Sequence, residues 1–172
     1  MTKKIVTSAN TSINHTPSLI KKFHSQLGSS NLDWGGGKYD TTTDFMASVG
    51  KTNVVYDPYN RTIDQNTSAM AQSITSITCA NVLNVIKKDS HLTRCLEDLK
   101  AHSLANGGVP IFFSVYPGDR TGVGTNTKKD CFQRNTTMSD YKTIVTKTFP
   151  PTQWKWECLS STCFYLRRYL QS

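Results

Sequence analysis

Short apolar, β-branched runs alternate with amphipathic helical stretches along most of this chain, and that order predicts an α/β domain built on a largely parallel sheet. The most apolar run, Pro110-Ile-Phe-Phe-Ser-Val-Tyr116, predicts a central strand buried on both faces. Residues 74–80 and 53–57 supply two more strands, and residues 31–34 a brief one that runs into Gly35-Gly36-Gly37. Asp57-Pro58 closes the 53–57 strand, because proline lacks the ladder donor and restricts the residue before it. Among the helices, the best defined is capped by Ser90, places Leu92, Leu96, Leu99 and Ser103 on one face, and stops at Gly107-Gly108. Others are expected over 17–27, capped by Thr16, over 40–49, and over 139–149. Residues 62–73 carry no clear pattern, 117–134 read as a long loop, and 154–159 with 161–170 predict two adjacent final strands.

A chain of 172 residues is one domain's worth. The expected organisation is an N-terminal segment and helix (1–28), a core (29–116), a loop or lid (117–138) and a C-terminal helix with a strand pair (139–172). Hydrophobic residues make up 37% and mean hydropathy is −0.43, as in a soluble globular protein. No apolar run approaches the ~18–20 residues of a membrane-spanning helix. The first fifteen residues lack the apolar core of a secretory signal, so a cytoplasmic protein is expected. Five cysteines, an odd number with no C-x-x-C pair and no clustered histidines, argue against a disulfide scaffold and against a metal site.

The net charge is +8. From Asp119 onward nine basic residues face four acidic ones, so the C-terminal third is a candidate surface for nucleic acid or another polyanion. The basic residues are scattered without a regular aromatic companion, and a solvated basic surface is the simpler reading.

The chemistry concentrates in Leu32-Asp33-Trp34-Gly35-Gly36-Gly37-Lys38-Tyr39-Asp40, followed by Asp57 at the end of the next strand. Glycines at a strand end let a ligand approach the backbone, and an acid at the next strand's end, 57 − 37 = 20 residues on, is placed to bind two ribose hydroxyls. Together they predict a nucleoside pocket at the carboxyl edge of the sheet. Gly35 and Gly37 match the first two glycines of a dinucleotide fingerprint, but Asp40 stands where the third belongs, and a carboxylate there would repel a pyrophosphate. Acids at Asp33 and Asp40 suit a phosphate-free, positively charged ligand such as S-adenosylmethionine.

The sequence here resembles a class I S-adenosylmethionine-dependent methyltransferase. The Leu32–Asp40 stretch looks like that family's first motif and Val55-Tyr56-Asp57-Pro58-Tyr59 like its second. Residues 78–86 resemble the fourth-strand motif, and 104–112 the glycine-containing approach to the fifth strand. The resemblance implies a single Rossmann-like domain: a mostly parallel twisted sheet, helices on both faces and an antiparallel C-terminal strand. It assigns Asp33, Gly35, Gly36 and Gly37 to the methionine portion of the cofactor, with Asp40 nearby. Asp57 goes to the ribose with Pro58 beside it, Tyr59 to stacking on adenine, and Asn81 with Val82 to the mouth beside the sulfonium. Asn81-Val82-Leu83-Asn84 departs from the Asn/Asp-Pro-Pro-Tyr/Phe pattern of amino-group DNA methyltransferases, so that acceptor class is not implied.

The implied reaction is in-line displacement of the methyl group onto an unidentified acceptor, where alignment can supply much of the acceleration. No general base is identified, and Tyr116 is the nearest candidate by position. Gln133, Arg134 and Asn135 are candidate substrate contacts in a loop expected at the entry side of the sheet, with Arg134 favoured for an anionic group and Lys128 and Lys129 adding charge. Two alternatives stay open: a non-catalytic nucleoside-binding regulatory module, and a basic nucleic-acid-binding protein.

Overall fold

A computed structural model describes residues 6–128 and 130–170; Lys129 and the extreme termini lie outside the described residues. Four strands are mutually parallel: β1 (Ser30–Trp34), β2 (Thr52–Tyr56), β3 (Ser76–Ala80) and β4 (Ile111–Ser114). Two more, β7 (Trp154–Cys158) and β8 (Cys163–Arg168), complete a six-stranded sheet in the order β2-β1-β3-β4-β8-β7, with β8 antiparallel to β4 and β7 antiparallel to β8. The chain runs outward from β1 to β2 and then crosses back over β1 to form β3 on its other side. The crevice at the carboxyl ends of β1 and β3 is therefore the point where strand order reverses, the usual ligand position in open α/β sheets.

The helices are α1 (Ser18–Phe23), α2 (Thr41–Ser48), α3 (Ile63–Met70), α4 (Asp89–Ala105) and α5 (Met138–Thr148). Leu92, Leu96, Leu99 and Ser103 of α4 are all buried, as their spacing requires. The three leucines join Leu32, Ile77, Phe113, Tyr141, Val145 and Trp154 in the larger core on one sheet face. A smaller cluster on the other face joins Leu19, Ile20 and Leu27 to Met46, Phe112 and Cys163. All four residues of β4 are buried, in keeping with its apolar sequence and central position.

Several expectations need correction. The stretch 117–134 is not all loop, because β5 (Thr125–Lys128) and β6 (Cys131–Gln133) pair as an antiparallel hairpin. Every residue of β5 is exposed, so the hairpin has no apolar alternation to betray it. The patternless 62–73 stretch contains α3, whose start is held by a reciprocal capping box: the Gln65 amide N–H donates to the Thr62 hydroxyl, and the Thr62 N–H to the Gln65 side chain. Helix α1 is shorter than 17–27 and gives way to a single 3-10 turn at His24–Gln26, while the hydroxyl of Thr16 donates to the Thr41 carbonyl at 3.1 Å instead of capping α1. Helix α4 starts at Asp89, one residue before Ser90.

Candidate active site at the carboxyl edge

Because β1 to β4 are parallel, the segments that follow them emerge on one edge. That edge collects Gly35–Gly37, Asp57–Tyr59, Asn81 with Val82, and Tyr116. The expected cofactor residues are thus brought together by topology alone.

The glycine turn is set by conformation and by crowding. Gly35 has φ +74°, and a Cβ there would lie 2.6 Å from Val82, across the crevice between β1 and β3. A Cβ on Gly36 would lie 2.5 Å from the Asp33 carboxylate, so the absent side chain makes room for that acid against the backbone. Asp33 is only 2% exposed. Burial raises its pKa from 3.8 to about 6; the Thr78 hydroxyl, bonded to Oδ1 at 3.1 Å, and the Arg61 charge pull it down, and the Asp57 charge pushes it up.

Asp57 is also buried, and its carboxylate is fully engaged. Its Oδ2 accepts the Gly37 N–H at 2.9 Å and the Asn60 side-chain amide at 3.2 Å, and its Oδ1 accepts the N–H groups of Tyr59 and Asn60 at 3.0 Å each. Asp57 therefore ties the glycine turn to the segment after β2. Arg61, which sequence reasoning missed, completes the tie: Nε donates to the Gly37 carbonyl at 2.8 Å, one terminal nitrogen to the Tyr39 carbonyl at 3.0 Å and the other to Asp40 at 2.7 Å. Asp40 is thus held by Arg61, and its side chain does not cap α2. The available signal was the Arg61 charge a few residues past Asp57, but only the fold shows it reaching back across 24 residues to the glycine turn.

Around this base, Pro58, Tyr59 and Asn81 are exposed, as is Tyr116, which is 61% accessible. Asn81 takes a left-handed conformation at φ 56° and donates its N–H to the Ser114 carbonyl, continuing the β3–β4 ladder into the mouth. A second feature absent from the sequence reading is the N-terminal strap. The Ser8 hydroxyl donates to the Val85 carbonyl at 2.9 Å and its N–H to the Asp130 carbonyl at 2.8 Å, while Ser12 packs against Gly37. Residues 8–12 therefore run along this edge from the hairpin to the glycine turn.

The loop residues proposed as substrate contacts have other partners. Arg134 donates to the Ile86 carbonyl at 2.7 Å and forms an ion pair with Asp89. Gln133 is buried and bridges the Tyr116 carbonyl, at 2.8 Å, to the Asn84 amide, at 3.1 Å. Asn135, buried and left-handed at φ 56°, donates to the Val123 carbonyl at 2.9 Å. Gln133 and Arg134 hold the β5–β6 segment onto the turn after β3, and Asn135 ties that segment to itself. His102 is half-buried against Trp34, and burial lowers its pKa.

Among the described residues no cluster of three or more His, Cys, Asp or Glu is arranged to hold a metal ion, and no helix is long and apolar enough to cross a membrane. The described acceptors at the edge are acidic, and Arg61 is taken up by Gly37, Tyr39 and Asp40. A cationic, phosphate-free ligand fits that donor set better than a pyrophosphate does.

No protein-family model matches the chain, and no curated protein matches it by sequence. Solved structures do match in three dimensions. A Rhodobacter sphaeroides protein provisionally described as a zinc-dependent alcohol dehydrogenase superposes with a TM-score of 0.62 at 10% identity, covering 96% of both chains. The CcbJ methyltransferase from Streptomyces caelestis gives 0.61 at 9% identity, covering 97% of this chain and 100% of its own. A Burkholderia thailandensis N1-methyltransferase, solved with 1,6-didemethyltoxoflavin and S-adenosylhomocysteine, gives 0.59 at 12% identity, covering 86% and 74%. With its strand order, antiparallel final pair and glycine turn at the topological switch point, the chain has the fold of the class I S-adenosylmethionine-dependent methyltransferases.

Proposed function

We propose that the chain is an S-adenosylmethionine-dependent methyltransferase whose cofactor lies at the carboxyl edge between β1 and β3. The observation that carries this reading is Asp33: a carboxylate buried beside a glycine turn, at the strand-order reversal, is an arrangement that a bound cation repays. Asp33 would hold the α-ammonium of the methionine portion, with Gly35 to Gly37 allowing close approach of its backbone. Asp57 keeps the glycine turn in place, and a ribose hydroxyl reaching it would take the position of the Asn60 amide, the one side-chain donor on that carboxylate. Tyr59 offers an exposed ring to adenine, and Asn81 and Val82 line the mouth. When bound, S-adenosylmethionine would supply an electrophilic methyl group, which the acceptor's lone pair takes in line as the sulfur–methyl bond breaks and S-adenosylhomocysteine leaves as a neutral thioether. Tyr116, exposed just past β4 at the same edge, is the candidate to face an incoming acceptor.

A second reading, cofactor binding without transfer, draws support from the same features, because Asp33 and the glycine turn serve cofactor binding and neither acts on an acceptor. A nucleic-acid role for the basic C-terminal third draws less, since Lys155 and Arg167 both pair with Glu157 and Arg134 pairs with Asp89. Calorimetric titration with S-adenosylmethionine, S-adenosylhomocysteine, NAD and FAD tests the proposal. Binding of the first two and not of the dinucleotides is expected; a micromolar dissociation constant for NAD or FAD would overturn it. Slow production of S-adenosylhomocysteine in the presence of candidate acceptors then separates transfer from binding alone.

A further inference from the structure

The sheet face that packs against α1 and α2 is not uniformly apolar. A line of buried polar side chains, Ser76, Asn31 and Thr78, crosses it and ends at Asp33. Such a line is costly unless each member is satisfied, and here each is.

The direction of every bond in the line follows from its first donor. The Gly28 backbone N–H, which can only donate, bonds to Ser76 Oγ at 3.1 Å. The Ser76 hydroxyl, accepting there, sends its own hydrogen to Asn31 Oδ1 at 2.8 Å. That fixes the Asn31 amide, whose Nδ2 donates to Thr78 Oγ1 at 2.9 Å and to Asn53 Oδ1 at 2.8 Å. The Asn53 amide is fixed in the same sense by donating to Thr43 Oγ1 at 3.1 Å. Thr78 Oγ1 already accepts from Asn31, so its single hydrogen goes to Asp33 Oδ1 at 3.1 Å. Asp33 is thereby addressed by a donor that cannot turn round, and a neutral carboxyl group gains less from such a donor than a carboxylate does.

We infer that Ser76, Asn31 and Thr78 form a polarised relay whose task is to position Asp33 and keep it an ionised acceptor for the cationic group of the cofactor, so that Thr78 is a positioning residue for the site. The inference deepens the methyltransferase reading and rests on it for the identity of the cation. The relay also explains why this sheet face spends buried volume on serine, asparagine and threonine where valine or isoleucine would pack. The other charged or titratable groups acting on Asp33 are Asp57, which opposes ionisation, and Arg61, which favours it; the buried Cys79 thiol of β3 lies close enough to feel the Asp33 charge. All of these stay in place when Thr78 is changed.

The test has two arms. In the ligand-free protein, carboxyl carbon NMR follows the titration of Asp33 in the wild type, Thr78→Val, Thr78→Ser and Ser76→Ala. Thr78→Val is nearly isosteric and removes the donor to Asp33 together with the acceptor of the Asn31 amide; the Asp33 midpoint is expected to move up by roughly one pH unit, as removal of a hydrogen bond to the charged form requires. Thr78→Ser is expected to leave the midpoint in place, and Ser76→Ala, three hydrogen bonds from Asp33, to move it in the same direction as Thr78→Val by less. In the second arm, calorimetry with S-adenosylmethionine across the same pH range is expected to show about twofold weaker binding by Thr78→Val near pH 7, approaching tenfold near pH 5, relieved by raising the pH and restored in Thr78→Ser. An Asp33 midpoint unmoved in Thr78→Val, or moved there and unmoved in Ser76→Ala, would overturn the relay. If Thr78→Val does not fold, Ser76→Ala decides alone. A wild-type protein that binds no S-adenosylmethionine at any pH would overturn the methyltransferase reading instead, and the NMR arm would still decide the relay.

Discussion

Replacing Asp33 by asparagine should make the protein more stable and less able to bind its cofactor. The carboxylate is 2% exposed, and burial lifts its pKa from 3.8 to about 6, so the folded state holds the proton more tightly than the unfolded state does. The sign follows from linkage: between those two values the native state binds more protons, and stability falls as pH rises through this window, then levels off above it. The gap between 3.8 and about 6, at 1.36 kcal/mol for each pH unit, makes the ionised group cost about 3 kcal/mol on the plateau. Asparagine keeps an oxygen for the Thr78 hydroxyl and carries no charge. At pH 8 Asp33→Asn is therefore expected to gain up to about 3 kcal/mol in urea denaturation, or roughly 6–12 °C in Tm for a chain of this size. Below about pH 4, where the wild-type group is protonated in both states, the gain should vanish. S-adenosylmethionine binding is expected to fall at least tenfold in the same variant. An Asp33→Asn protein less stable than wild type at pH 8, or a gain that persists unchanged at acid pH, would refute the assignment of burial as the dominant effect.

Asp57→Ala should cost roughly 3 kcal/mol in chemical denaturation as well as weakening cofactor binding tenfold or more, because it strands the Gly37, Tyr59 and Asn60 N–H groups; unchanged stability would show that water replaces the carboxylate. Arg61→Ala frees the Gly37 and Tyr39 carbonyls, and calorimetry is expected to show about five- to tenfold weaker S-adenosylmethionine binding with helix content retained by circular dichroism. Thr62→Ala removes the capping box of α3 and should lower stability by about 1 kcal/mol in urea titration, leaving binding untouched. Leu96→Ala, at a fully buried position of α4, should cost about 2–5 kcal/mol by the same measurement.

The elements legible in the sequence were those whose residues face one dominant core. The four leucine and serine positions of α4, the apolar β4 and the paired final strands declare themselves because burial imposes a period on hydrophobicity. The glycine turn and Asp57 were legible for a related reason: backbone approach demands glycine, and a strand end is a fixed place in an α/β sheet. Helix α3, held by a cap more than by an apolar stripe, and the exposed β5–β6 hairpin left no such period to read.

Tertiary structure alone decided how the site is wired. That Arg61 clasps the glycine turn, that Ser12 of the strap packs on Gly37, and that Gln133 and Arg134 hold the hairpin onto the segment after β3 all depend on contacts between residues far apart in the chain. The relay into Asp33 is the clearest case. Its members come from two parallel strands, with Asn31 in register with Ser76 and Asp33 with Thr78, and nothing in either strand's own sequence specifies that pairing. Local sequence determines which face a side chain takes, since strand period is two; which neighbour it meets is settled only when the crossovers set strand order and register.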